Sequence, residues 1–196
     1  MSNRDKLIDA ACQLFHLHGF DGTSIDQIMK TSGVSKSNFY YYFESKEVLG
    51  LLAIEKIASE FRESILSKTI LNPDLNPLER LDSFYETAVS FQHFLFSQQF
   101  YSGCFFGNLA LEQSAVNEKF RSALRDFFQE WRDSFEQCLR DGVEQGFFKK
   151  EIDPKKTAGL LVSQVEGAIL LSKVDNSPDV FEVSCATMRN LIVNNH

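Results

Sequence analysis

Apolar positions recur along this chain at helical spacing almost from its first residue to its last. Leu7, Ala10, Ala11, Leu14 and Phe15 stand at i, i+3, i+4, i+7 and i+8, which predicts a helix over 4–18 with one apolar stripe, closed by Gly19. Thr23-Ser24-Ile25-Asp26-Gln27 then reads as a capping box, with Ser24 as N-cap and Gln27 three residues on. The short helix it opens buries Ile25, Ile28 and Met29 and stops at Ser32-Gly33. Ser35 caps a third helix running to about Phe43, and Ser45 a fourth running to about Ser67. The run NPDLNP, residues 72–77, is the clearest loop. Helical patterns follow over 77–100, 104–113, 115–146, 154–174 and 178–193, and no segment alternates as a strand would. The expected fold is all-α with about nine helices: a three-helix helix-turn-helix domain over 1–46 and a larger helical body over 47–196.

Composition narrows the class. The 196 residues are 43% hydrophobic and 24% charged, as in an ordinary soluble globular protein, and 19 are Phe against a single Trp. The opening MSNRDKLIDA lacks the apolar core of a signal peptide, and no uninterrupted apolar run approaches the ~18 residues of a spanning helix. Cys12, Cys104, Cys138 and Cys185 are scattered without a C-x-x-C, which argues against a disulfide framework or a zinc site. A cytoplasmic protein with no membrane partner is expected. The net charge of −7 is spread over both parts: residues 1–50 carry five basic and six acidic side chains, and residues 51–196 carry 15 and 21. Any contact with DNA must therefore come from placed residues and not from a general positive field.

The candidates for such placement lie in SGVSKSNFYYYFESKEVLG, residues 32–50. Helix 24–31, a turn carrying Gly33 and helix 35–43 have the spacing of a helix-turn-helix. At 100° per residue, Phe39 and Phe43 fall within about 40° of each other and face the core. Ser37, Asn38 and Tyr41 lie on the opposite side, with Lys36 and Tyr40 on one flank and Tyr42 on the other. At most one of the three tyrosines can tuck against the core. An outward phenol donates a hydrogen bond to a phosphate oxygen at little entropic cost. In a recognition helix the N-terminal residues meet the bases. Lys36 suits guanine O6 or N7, and Asn38 suits adenine N6 and N7. Lys36 and Lys46 each follow a capping Ser in a first turn, where the macrodipole disfavours a cation, which makes sense if a phosphate lies in front of both. Thr23 and Ser24, at another helix start, could hold a backbone phosphate in the same way.

These residues resemble the TetR family of bacterial transcriptional regulators. The match is TSIDQIMKTSGVSKSNFYYYFESKEVL preceded by AACQLFHLHGFDGTS, and covers about residues 4–55. The resemblance implies that residues ahead of the buried Phe39 read bases. It also implies that Tyr40 and Lys46 hold phosphates, with Tyr42 where many members place a His that also meets the backbone and Tyr41 in an aromatic or His position beside it. Asn38 and Ser37 depart from the small residues common there. The family further implies a homodimeric repressor on a palindromic operator in double-stranded DNA, released by a small apolar or aromatic effector.

The body holds 15 of the 19 Phe, with Phe84, Phe91, Phe94, Phe96, Phe100, Phe105 and Phe106 crowding the fifth and sixth helices. All could serve as core. A family member would instead leave an apolar cavity among them. The candidate ligand residues are the rings of Phe91, Phe94, Phe105 and Phe128, with Tyr101, Asn108, Glu112, Gln113, Trp131 and Gln164 as polar groups. The stretch YSGCFFGNLALE resembles one in a subset of the family whose members respond to electrophiles through a cysteine. Cys104 is either that cysteine or a small hydrophobe at a helix start.

Helix 154–174 is apolar nearly all round, and helix 178–193 has one apolar side. Paired across a two-fold axis they would make a four-helix interface, with Leu161, Val165, Ile169, Phe181, Cys185, Met188 and Ile192 as the expected contacts. No catalytic residue, cofactor or metal site is expected. His16 and His18 diverge on their helix, His93 stands alone, and no G-x-S-x-G, phosphate loop or H-E-x-x-H occurs. The rival reading is a non-catalytic, dimeric helical ligand carrier or adaptor whose helix-turn-helix only packs.

Overall fold

The computed structural model describes residues 1–98 and 101–194; Phe100 and the end of the helix expected over 77–100 lie outside the described residues. Nine α-helices occur among the described residues: α1 (Asn3–His18), α2 (Ile25–Ser32), α3 (Lys36–Tyr42), α4 (Lys46–Ser64), α5 (Pro77–Ser97), α6 (Phe105–Gln113), α7 (Glu118–Glu144), α8 (Pro154–Asp175) and α9 (Asp179–Ile192). They group into two compact units, one of residues 1–59 with 104–126, the other of 60–103 with 127–196. The division does not follow the sequence boundary at 46/47. It falls within α4 and α7, and α6 belongs with the N-terminal helices.

In the first unit the caps are those the sequence spells. Ser24 accepts the Gln27 N–H while the Gln27 side chain takes the Ser24 N–H, and Gly33 ends α2 in the left-handed region with φ 68°. Ser35 caps α3, and the Ser45 hydroxyl accepts the Val48 N–H at the start of α4. Leu7, Ala11, Phe15, Ile28, Val34, Phe39, Phe43 and Leu49 form the core of this unit. Phe20 bridges onward, 5.2 Å from the Phe15 ring and 4.8 Å from the Phe120 ring of α7. Gly50 permits that bridge, since a Cβ there would lie 2.6 Å from the Phe120 ring and 2.9 Å from that of Phe20. Glu47 ties α4 to the start of α7, accepting from Asn117 at 2.9 Å and Lys119 at 2.6 Å.

In the second unit, Asn76 and Asp153 cap α5 and α8, each followed by Pro at the first helical position. Its core is aromatic, with Phe84 4.9 Å from Phe135 and Phe61 5.2 Å from Trp131. Arg189 of α9 grips Asp82 of α5 with both arms of its guanidinium, and Arg80 pairs with Asp141 at 3.2 Å. After α9 the chain lies against the turn that follows α7. Lys149 N–H donates to Ile192 O, Asn194 N–H to Phe147 O, and the Asn194 amide to Gly146 O and Phe148 O.

The helix pair α8–α9 corrects the expected set of interface contacts. Leu161, Val165, Phe181, Cys185 and Ile192 are buried within the chain, and Ile169 and Met188 are half-buried. They seal α8 against α9 and the rest of the unit, because the stripe facing a helix's own neighbours fills first. The faces left outward carry Leu160, Leu170, Leu171 and Val174 on α8 and Val183 and Leu191 on α9. Apart from the adjoining residues and backbone of α8 itself, no atom of the described residues lies within 4 Å of where a Cβ would stand on Gly159 or Gly167. By length and composition α8 could cross a membrane, with 39% of its most apolar stretch buried. Its apolarity comes from having one face inside the unit and another uncovered.

Candidate nucleic-acid interface

Seven residues are too few for a helix to stand alone in water, so α3 depends on what its inner face buries. Phe39 and Phe43 are almost wholly buried, their rings 5.8 Å apart, and this fixes the rotation of the helix. The opposite face is open. Tyr40 is 52% exposed, Tyr41 79% and Tyr42 37%. Tyr40 stands edge-on to Phe39 at 5.2 Å, and Tyr41 edge-on to Tyr42 at 4.9 Å, so the phenol rings brace one another and the core ring. None of the three phenol hydroxyls is hydrogen-bonded to another group among the described residues.

In the first turn Lys36 and Ser37 are exposed and Asn38 half-exposed. The Ser37 hydroxyl lies 3.1 Å from that of Ser35, which also accepts the Asn38 N–H at 3.4 Å. The Asn38 amide keeps both its donor and its acceptor for an outside partner. Lys36, Ser37, Asn38, Tyr40, Tyr41 and Tyr42 thus share one solvent-facing surface.

Three other expected phosphate contacts do something else. Thr23 is only 1% exposed, and its hydroxyl donates inward to Gly19 O at 2.8 Å, with Leu14 O at 3.2 Å. It ties the α1–α2 turn to the end of α1. The Lys46 ammonium donates to Phe20 O at 2.9 Å and Thr23 O at 3.0 Å and stands 4.3 Å over the Phe20 ring. The cation set against its helix dipole is explained by these carbonyls. Ser24 is exposed, but its hydroxyl and N–H are both engaged by Gln27.

The expected ligand residues separate between the two units. Cys104, Phe105, Asn108 and Glu112 belong to the first. There Cys104 caps α6, its Sγ accepting the Gly107 N–H at 3.4 Å, and Phe105 is buried edge-on to His16. The Glu112 carboxylate is not free for a ligand: it accepts the Phe20 N–H at 2.7 Å and the Asp21 N–H at 2.6 Å. No periodicity in the sequence signals that contact, which spans about ninety residues. Phe91, Phe94, Tyr101, Phe128, Trp131 and Gln164 belong to the second unit. Phe91 and Phe94 point outward. Tyr101 stacks on Phe96 at 4.0 Å and donates to Gln92 Oε1. Gln164 donates to Ser184 Oγ at 2.9 Å and to Cys185 Sγ at 3.8 Å, and burial pushes the Cys185 thiol up to about 11. Trp131 is 4% exposed among Phe61, Phe84, Phe127, Phe128 and Phe135, and among the described residues its indole N–H has no acceptor; nor has the Tyr85 hydroxyl, at 5% exposed, a partner among them.

Residues 7–51 match a family model described as bacterial regulatory proteins, tetR family, and residues 77–188 match one described as tetracyclin repressor-like, C-terminal domain. The transcriptional regulator AcuR of Cereibacter sphaeroides is 32% identical over 173 residues, which cover 88% of this chain and 77% of AcuR. The transcriptional repressor DhaR of a Mycobacterium species is 28% identical over 89% of this chain and 84% of its own. The crystal structure of reduced Escherichia coli NemR aligns with a TM-score of 0.88 at 27% identity, covering 98% of both chains.

The place of Lys46 gives a testable outcome without any nucleic acid. Lys46→Met should lower the stability of the chain by about 1.5–3 kcal/mol, the worth of hydrogen bonds from a charged donor, in a urea unfolding curve. A residue that served only phosphate would leave the curve where it was.

Proposed function

The chain belongs to the TetR family of bacterial regulatory proteins, and we propose that it acts as a ligand-responsive transcriptional repressor that grips operator DNA through α3. The observation that carries this reading is the division of α3 into a locked face and an open one. Phe39 fixes the helix so that Lys36 and Asn38 project from its first turn while three braced phenols flank them. Asn38 is the base reader, through a bidentate pair with adenine, and Lys36 a second reader on guanine. Tyr40, Tyr41 and Tyr42 donate to phosphate oxygens and set the helix in the major groove. The Ser24 hydroxyl joins them only when Gln27 turns aside.

Operator half-sites in successive major grooves need two reading heads about 34–36 Å apart, and hence two copies of the chain. The outward stripe of Leu160, Leu170, Leu171 and Val174, with Gly159 and Gly167 beside it, suits close packing against its own mate. The effector belongs to the second unit. An unpaired buried donor costs about 1–3 kcal/mol, and a ligand carrying an acceptor to the Trp131 N–H or the Tyr85 hydroxyl would recover it. The rings around Trp131 favour a neutral, flat, apolar or aromatic molecule bearing that acceptor. Such a ligand releases DNA only by as much as it prefers the form that cannot bind it.

Three measurements test this. In a mobility-shift assay on DNA flanking the chain's own gene, binding should be sequence-specific and weaken as salt rises. Asn38→Ala should relax choice at one base pair by about 1–3 kcal/mol, and Tyr40→Phe should weaken all sequences alike; parental retardation by both variants would refute the assigned roles. Leu171→Lys should sediment as a folded monomer and lose operator affinity, whereas a dimer of undiminished strength would place the interface elsewhere. Because Trp131 is the single Trp, its emission reports the effector site directly. Acetophenone should quench it saturably and ethylbenzene more weakly, and equal effects of the two would refute an acceptor-seeking site.

A further inference from the structure

The α1–α2 turn is held from two sides by opposite charges. From one side the Glu112 carboxylate of α6 takes two consecutive backbone N–H groups, Phe20 on Oε2 at 2.7 Å and Asp21 on Oε1 at 2.6 Å. From the other side the Lys46 ammonium of α4 takes two carbonyls of the same turn, Phe20 and Thr23, at 2.9 and 3.0 Å. Gly19 makes room for the first contact. Its φ is +75°, and a Cβ on it would stand 3.0 Å from each Glu112 oxygen. The residue that follows the turn, Ser24, is the N-cap of α2, and α2 packs on α3. Successive N–H groups converging on an anion make a nest, and here the anion is supplied by the chain itself.

We propose that this clamp sets the operator affinity, with Glu112 as a residue that positions the reading head through the α1–α2 turn. The proposal rests on the operator-binding function given above. Both charges are needed for a physical reason. Phe20 is buried and its bond to Glu112 part-buried, so an N–H deprived of that carboxylate is poorly compensated by water, and Lys46 alone would draw the turn towards α4. A carboxylate bridging two adjacent N–H groups keeps both bonds only over a narrow range of positions. Loss of that bridge therefore frees the turn, and with it the start of α2 and the seat of α3. Glu112 acts in this scheme without touching DNA.

The test compares the full chain with Glu112→Gln, which keeps the shape but offers an N–H where the turn already presents one, and with Glu112→Ala, which removes the carboxylate altogether. Amide hydrogen exchange, resolved by residue, reads the clamp with no DNA present. Operator affinity at several salt concentrations reads its effect. Glu112→Gln should speed exchange at Phe20 and Asp21 and weaken operator binding about tenfold, the worth of a charge-assisted hydrogen bond. The slope of log Kd against log salt should not change, because no phosphate contact is lost. Glu112→Ala should act likewise and at least as strongly. Faster exchange with parental affinity would overturn the positioning role, and unchanged exchange would overturn the clamp. If the parent retards no operator DNA, the repressor reading itself fails; the exchange data still show whether the turn is held, so the two failures are told apart.

Discussion

A helix of seven residues holds its shape only because two of its rings are sunk in a core that other helices build. Phe39 and Phe43 supply that anchorage for α3, and Leu7, Phe15, Ile28, Val34 and Leu49 receive it. Once the inner face is fixed, the direction of every outer side chain follows at 100° per residue. The chemistry of the open face of α3 is thus a consequence of packing on its far side. Loosening that core would blur the surface even with every surface residue intact.

The net charge of −7 gives a second constraint. A chain of this sign gains little from long-range attraction to a polyanion, so its contacts must be local and well aimed. Neutral phenols fit that requirement. They are stiff, with two side-chain torsions each, and they hydrogen-bond to phosphate without displacing condensed cations. The mutual bracing of Tyr40 on Phe39 and of Tyr41 on Tyr42 limits their motion before any partner arrives.

The elements of the fold were legible in the sequence because caps and stripes are local signals. Ser24 with Gln27, Ser35, Ser45, Gly33 and the stripe from Leu7 to Phe15 each act within a few residues of themselves. The open face of α3 was legible for the same reason. Contacts that depend on tertiary approach were not. Lys46 looked like a phosphate ligand, since its helix start disfavours a cation, and nothing nearby in sequence shows the carbonyls of Phe20 and Thr23. Thr23 looked like a helix start and proved to be a buried tie. Glu112 looked like one polar group of a ligand site, and only the fold reveals that it receives two amides some ninety residues away. In α8 a helix apolar on every side gives no sign of which stripe turns inward, so Leu161 and Val165, expected at an interface between two copies, lie inside the unit while Leu160 and Leu171 face out.

The stretch that follows α9 has a practical corollary. Asn194 holds Gly146 and Phe148 by its side-chain amide and Phe147 by its N–H, while Lys149 reaches back to the last carbonyls of α9. These few residues lace the far end of the last helix to the hairpin after α7. Trimming the chain back to Leu191 would undo that lacing and leave α9 to fray from its tail. An affinity handle is therefore best joined beyond Asn194 through a flexible spacer, where it leaves every one of these stitches in place.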